Sequence, residues 1–296
     1  MVTGYLATRQ TPSPSPGRHR LQKTQSIGGR SRNIMASAQQ EKVWQDHERK
    51  FKANCEAVMT DDDTLVLVGD HSWARNLDEC EQDLKYIMDL PGRKILLRGN
   101  HDMFWDAKKT ARLNEQFAGK LHFLQNNYYG YNEYALVGTK GYTFEGPFYL
   151  DRHGRVRGWD EKEAEHAEKL VEREIDRLRE SFDAAMADGY SKFIMFLHYP
   201  PTNILQDNSA FTKMAEKYGA EQVIYGHCHG TSQGGTRETG GSLVTRQTPS
   251  DEVGLSWRLL NGESRFHDSI RGKKRGIRYS LVSGDCLRWH PMKVLG

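Results

Sequence analysis

At 296 residues and 37% hydrophobic content, the chain has enough apolar material for a buried core, in one large domain or two small ones. No apolar run reaches the roughly 18 residues of a membrane span, and a formal charge of +3 is too small by itself to call for nucleic acid. Cys55, Cys80, Cys228 and Cys286 form no CxxC pair and follow no apolar signal segment, which predicts reduced thiols, no disulfide and a cytoplasmic location.

Residues Met1 to Gln40 carry six arginines and lysines and no Asp or Glu, among many Ser, Thr, Pro and Gly. Too little apolar surface is present there to offset ordering entropy, so residues 1–38 read as a disordered basic tail or a degraded first strand, with Val2 to Ala7 the only strand-like stretch. An organelle transit peptide is the competing reading of this composition. The main domain is then expected over 39–296.

A helix is predicted over Gln39 to Met59, with Val43, Trp44, His47 and Phe51 on one face, and Thr60 to Asp63 breaks it. Strand and helix then alternate: strand Thr64 to Val68, helix Leu77 to Leu90 stopped by Pro91-Gly92, strand Lys94 to Leu97, helix near Ala107 to Phe117, strand Leu121 to Leu124. Glu133 to Gly138 is a further strand, followed by the aromatic and glycine-rich stretch Gly141 to Tyr149. A long helix over Asp160 to Met186 places Glu172, Arg173, Asp176 and Arg179 at spacings that suit a solvated face with weak ion pairs. Strand Lys192 to Leu197, helix Asn208 to Tyr218 and strand Gln222 to Tyr225 complete this alternation. Residues 231–274 read as a Gly/Ser/Thr-rich insertion, before closing strands at Arg278 to Ser283 and Pro291 to Leu295. Leu6 to Ser13 nearly repeats as Leu243 to Ser250, with no physical account.

Four apolar runs each end in a polar motif: Gly69-Asp70, Gly99-Asn100-His101-Asp102, His198, and Gly226-His227-Cys228-His229. Runs this continuous suit strands buried on both faces, and residues just past such strand ends converge on one rim. Taken singly, a histidine is more often a satisfied core residue and Gly-Asp more often a turn. Jointly, Asp, Asn and several His form a mixed oxygen and imidazole set that suits Mn, Fe, Zn or a similar divalent ion better than Ca or Mg. Trp73, Trp105 and Tyr199 adjoin these motifs as pocket walls or, more commonly for such rings, core. The basic cluster Arg271, Lys273, Lys274, Arg275 and Arg278 reads as a solvated loop, because few aromatics are interleaved for base stacking.

The order Gly-Asp, Gly-Asn-His-Asp, His, Gly-His-x-His resembles the calcineurin-like metallophosphoesterase superfamily, and Gly69 to Ala74, Leu97 to Asp102, His198 to Pro201 and Ile277 to Ser283 are similar to a bacterial phosphohydrolase group within it. The resemblance implies a four-layer α-β-β-α sandwich of two mixed sheets. It implies two divalent metals (Mn, Fe, Zn or Ni) and hydrolysis of a phosphomonoester or phosphodiester by a metal-activated hydroxide. Asp70 would bridge the metals, Asn100, His198 and His227 would complete the ligands of the second metal, and His229 would belong to the first metal. His101 would stabilise the transition state or protonate the leaving oxygen, and Asp102 would orient its loop. The expected partner is a phosphorylated small-molecule or nucleotide substrate, with nucleic acid not favoured, no membrane, and an oligomeric state beyond the sequence.

One departure stands beside the match. The family's first motif, Asp-x-His after the opening strand, does not occur upstream of Asp70, and the Val2 to Ala7 stretch would put Arg9 and Thr11 in its place. Arginine cannot deprotonate to bind a metal. The alternative expectation is therefore a catalytically impaired relative with one metal, acting as a binding or scaffold module.

Overall fold

The computed structural model describes residues 2–5, 44–142, 148–150, 156–159, 161–202, 208–228 and 270–295. The first sheet has five strands in the order β13-β1-β2-β3-β4, comprising β1 (Val2–Tyr5), β2 (Thr64–Leu67), β3 (Arg93–Leu97), β4 (His122–Leu124) and β13 (Met292–Leu295). β1 to β4 run parallel and β13 antiparallel. The second sheet has six strands in the order β11-β12-β10-β9-β6-β5, comprising β5 (Tyr128–Tyr131), β6 (Tyr134–Thr139), β9 (Lys192–Leu197), β10 (Ala220–Tyr225), β11 (Gly272–Lys274) and β12 (Ile277–Leu281). Its four inner strands are parallel, and β5 and β11 are antiparallel edges. β7 (Phe148–Leu150) and β8 (Val156–Trp159) form a separate hairpin.

Side chains alternate across each strand, and this period of two builds the layers. Val66, Val68, Ile95 and Leu97 from the first sheet meet Leu136, Ile194, Phe196 and Ile224 from the second in one buried layer. The opposite face of the first sheet, Leu65, Leu67, Leu96 and Phe123, packs on α1 (His47–Val58), α2 (Glu81–Met88) and α3 (Thr110–Gln116) through Phe51, Leu84, Ile87 and Leu113. The outer face of the second sheet, Val137, Phe193, Met195 and Val223, packs on α4 (Glu161–Ala187) and α5 (Ala210–Tyr218) through Leu178, Phe182, Phe211 and Met214. The result is the expected α-β-β-α sandwich. Its limits are set by local chemistry: Ser209 and Thr212 form a capping box that starts α5, and Gly219 at φ 69° ends it.

Several expectations change. Of the two readings of the first residues, tail or first strand, Val2–Tyr5 forms strand β1, in register with β2 from Val2 opposite Thr64 to Tyr5 opposite Leu67. This pairing spans some sixty residues, so no local pattern announces it. The first helix begins at His47 among the described residues, and the second at Glu81 because Asn76 and Glu79 close a polar turn before it. β5 lies between the strands expected at Leu121 to Leu124 and Glu133 to Gly138, where none was predicted, and the β7–β8 hairpin begins at the end of the aromatic, glycine-rich stretch Gly141 to Tyr149. The last residues of the 231–274 insertion form edge strand β11, while 231–269, like Arg9, Thr11 and His229, lie outside the described residues. The four cysteines carry no disulfide. No helix among the described residues is long and apolar enough to cross a membrane.

Candidate metal centre

β2, β3, β9 and β10 are parallel within their sheets, and their C-terminal ends deliver Asp70, Asn100, His198 and His227 to one place. Ligand atoms of Asp70, His198 and His227 all lie within 4.8 Å of one another. Asn100 Oδ1 is 2.7 Å from His198 Nε2 and 3.0 Å from His227 Nδ1, and His198 Nε2 is 3.5 Å from Asp70 Oδ2.

Glycine makes the approach feasible. Gly69 has φ +105°, and a Cβ there would sit 2.4 Å from His198 Nδ1. A Cβ on Gly99 would sit 2.1 Å from Asp70 Oδ1. These contacts, and not turn preference alone, place glycine before Asp70 and Asn100. Asp70 and His227 themselves adopt φ 58° and 67°, a left-handed conformation that non-glycine residues keep where surrounding structure enforces it.

Asp102 is fully buried, and its carboxylate accepts backbone N–H bonds from Asp70 (2.8 Å), His71 (2.7 Å), Ser72 (3.1 Å) and Gly99 (2.7 Å). One side chain therefore ties the two ligand loops of the first sheet together. His71 adds a bond from Nε2 to the Leu97 carbonyl at 2.8 Å, and the His101 backbone N–H donates to Asp70 Oδ1 at 2.8 Å. Neither the inter-loop role of Asp102 nor that of His71 was evident beforehand, because the partners are some thirty residues apart.

In the second sheet the imidazoles are held through their own rings. His198 is wholly buried, and its Nδ1–H donates to the Val68 carbonyl at 2.9 Å, which leaves Nε2 as the lone pair facing Asn100. Burial pushes its pKa down to about 3, so the ring is neutral at ordinary pH. A neutral imidazole lone pair, an amide oxygen and a carboxylate oxygen converge here, and acceptors at such separations suit a shared cation. The mixed donors fit a divalent transition metal.

His101 stands beside this group, its ring stacked on Trp73 at 3.8 Å between centroids and 13° between planes. Trp73 is 45% exposed and so is not core, whereas Trp105 is completely buried and is. Tyr199 lines the centre, with its ring 4.4 Å from that of His227. Cys228 is buried in the second sheet's core, in keeping with a structural role. Of the residues singled out in the sequence, Asp70, Asn100, His198 and His227 meet, His101 and Asp102 adjoin them, and His229 lies outside the described residues.

A search of curated proteins finds no match to this chain. Among solved structures, the chain is similar to a protein of unknown function, AQ665, from Aquifex aeolicus (15% identity, TM-score 0.36, covering 83% of this chain and 80% of that one). It is also similar to TT1561 of Thermus thermophilus (14% identity, TM-score 0.41, covering 63% and 78%). Residues 27–230, which include all four strand ends of the candidate site, match the model of the calcineurin-like phosphoesterase family, and the chain belongs to that family.

Proposed function

We propose that this protein is a metal-dependent phosphoester hydrolase whose ion is held by Asp70, Asn100, His198 and His227. The convergence of these four donors from four strand ends is the observation that carries the reading. A bound divalent ion supplies Lewis acidity and lowers the pKa of water toward neutrality. The chain's own residues supply the rest. His101, steadied by Trp73 and by the backbone bond to Asp70, is placed at the rim to give a proton to the leaving oxygen or to stabilise charge on phosphorus. Asp102 acts as a positioning residue, since its carboxylate is committed to backbone N–H groups. His229 belongs to the first-metal side in this reading.

The test is manganese-stimulated hydrolysis of bis(p-nitrophenyl) phosphate beside Asp70→Ala and His198→Ala proteins from matched preparations. Loss of turnover in both variants is expected, and undiminished rates in both would overturn the assignment. A second reading, a weakened relative that binds a partner, is favoured by one observation. β1 occupies the position next to β2, yet the residues that follow it, Leu6 to Pro12, include no carboxylate or imidazole. This reading expects at most one tightly held metal per chain, and recovery of two would count against it.

A further inference from the structure

Lys140 follows β6 directly, and its carbonyl accepts the backbone N–H of His198 (3.1 Å) and of Tyr199 (3.0 Å). Its side chain therefore leaves the strand end beside the metal centre. The ammonium lies 5.5 Å from the centre of the Tyr199 ring, which also neighbours His227, His198 and Tyr142. Lys140 is half-buried and makes no hydrogen bond or ion pair through its ammonium among the described residues.

Its charged surroundings are mostly of its own sign. Among the described residues, Arg98, Arg173 and Arg177 act on it against the carboxylate of Glu174. Glu174 is fully buried and already engaged: Thr139 Oγ1 donates to it at 2.5 Å, Arg177 at 2.5 Å, and Arg173 Nε lies 3.8 Å away. Asp102 and Asp106 reach Arg98 electrostatically, but Asp102 accepts four backbone N–H groups and Asp106 caps the turn at Lys108. Burial depresses the Lys140 pKa, in keeping with an ammonium that lacks a partner. A half-buried cation among three guanidinium groups is costly unless an anion reaches it.

We propose that Lys140, with Arg98, Arg173 and Arg177 around Glu174, forms an anion subsite beside the metal centre that receives a second phosphate group of the substrate, one that is not hydrolysed. Lysine and arginine are the side chains suited to phosphate, and the Tyr199 ring neighbours both the ammonium and His227. The inference rests on the hydrolase reading for what happens at the first phosphate, and it narrows the substrate class to compounds with two phosphates.

Calorimetric titration of the manganese-loaded full-length chain, with turnover slowed by His101→Ala, which leaves the four metal donors in place, tests this with glucose 1,6-bisphosphate and glucose 1-phosphate as probes. The bisphosphate is expected to bind about tenfold more tightly, Lys140→Met to erase that preference, and Lys140→Arg to keep most of it. Equal affinity for the two probes, or a preference that survives Lys140→Met, would overturn the subsite. Failure of the hydrolase reading would look different: no turnover in the parent chain, with the binding preference intact.

Discussion

The two sheets bring equal numbers of candidate ligands to the proposed centre but hold them by different means. In the first, Asp70 and Asn100 sit on loops whose backbone N–H groups are gathered by one buried carboxylate, Asp102. In the second, His198 is fixed by its own ring, through Nδ1 to the Val68 carbonyl of the opposite sheet. The contrast separates two kinds of preorganisation. The oxygen donors depend on loop conformation and share a single point of failure, while the imidazole depends on contact between the sheets.

Asp102→Ala should break this arrangement most severely. It would strand four backbone N–H groups in a dry site, and we expect a loss of about 3–5 kcal/mol in urea unfolding. A loss under about 1 kcal/mol would show that the loops do not rely on the carboxylate. Gly99→Ala comes next, because the added Cβ meets Asp70 Oδ1 at 2.1 Å with backbone behind it. It should cost about 1–3 kcal/mol and displace the carboxylate, so that manganese affinity falls as well; unchanged affinity would mean that the loop yields freely.

A third prediction concerns the helical layer outside the first sheet, where burial raises the thiols of Cys55 and Cys80 to about 12. The unfolded chain ionises them near 9.0, so their stabilising effect is intact below that pH and is lost as pH rises toward 12. Stability between pH 8 and 10.5 should fall by about 2 kcal/mol per thiol, and the Cys55→Ala, Cys80→Ala protein should show a shallower decline. Equal slopes would contradict the assignment. The smallest effect is expected at Trp73, whose exposed indole stacks on His101. Trp73→Leu should lower turnover about three- to tenfold while the unfolding midpoint barely moves, and a large midpoint shift would make the ring structural instead.

The ligand-bearing strands were legible because each is a continuous apolar run that ends in a polar motif. The pairing of β1 with β2 was not, since four residues must find a partner sixty positions away. Long-range wiring was hidden for the same reason. Asp102 could be placed near the site from its motif, but not seen to bind the loop after β2. Glu174 shows a different limit. In sequence it is one charge among many on a helix read as solvated, and in the fold it is the buried carboxylate around which Arg177, Arg173 and Lys140 gather. Helical periodicity locates a face, but the neighbour of that face comes from the sheet.

The central claim is that Asp70, Asn100, His198 and His227 make one metal site from two sheets, and manganese titration of the purified chain followed by calorimetry tests it most directly. The account predicts tight binding in the parent that is lost in both Asp70→Ala, which alters the first sheet, and His198→Ala, which alters the second. Binding that survives in either variant with undiminished affinity would contradict it.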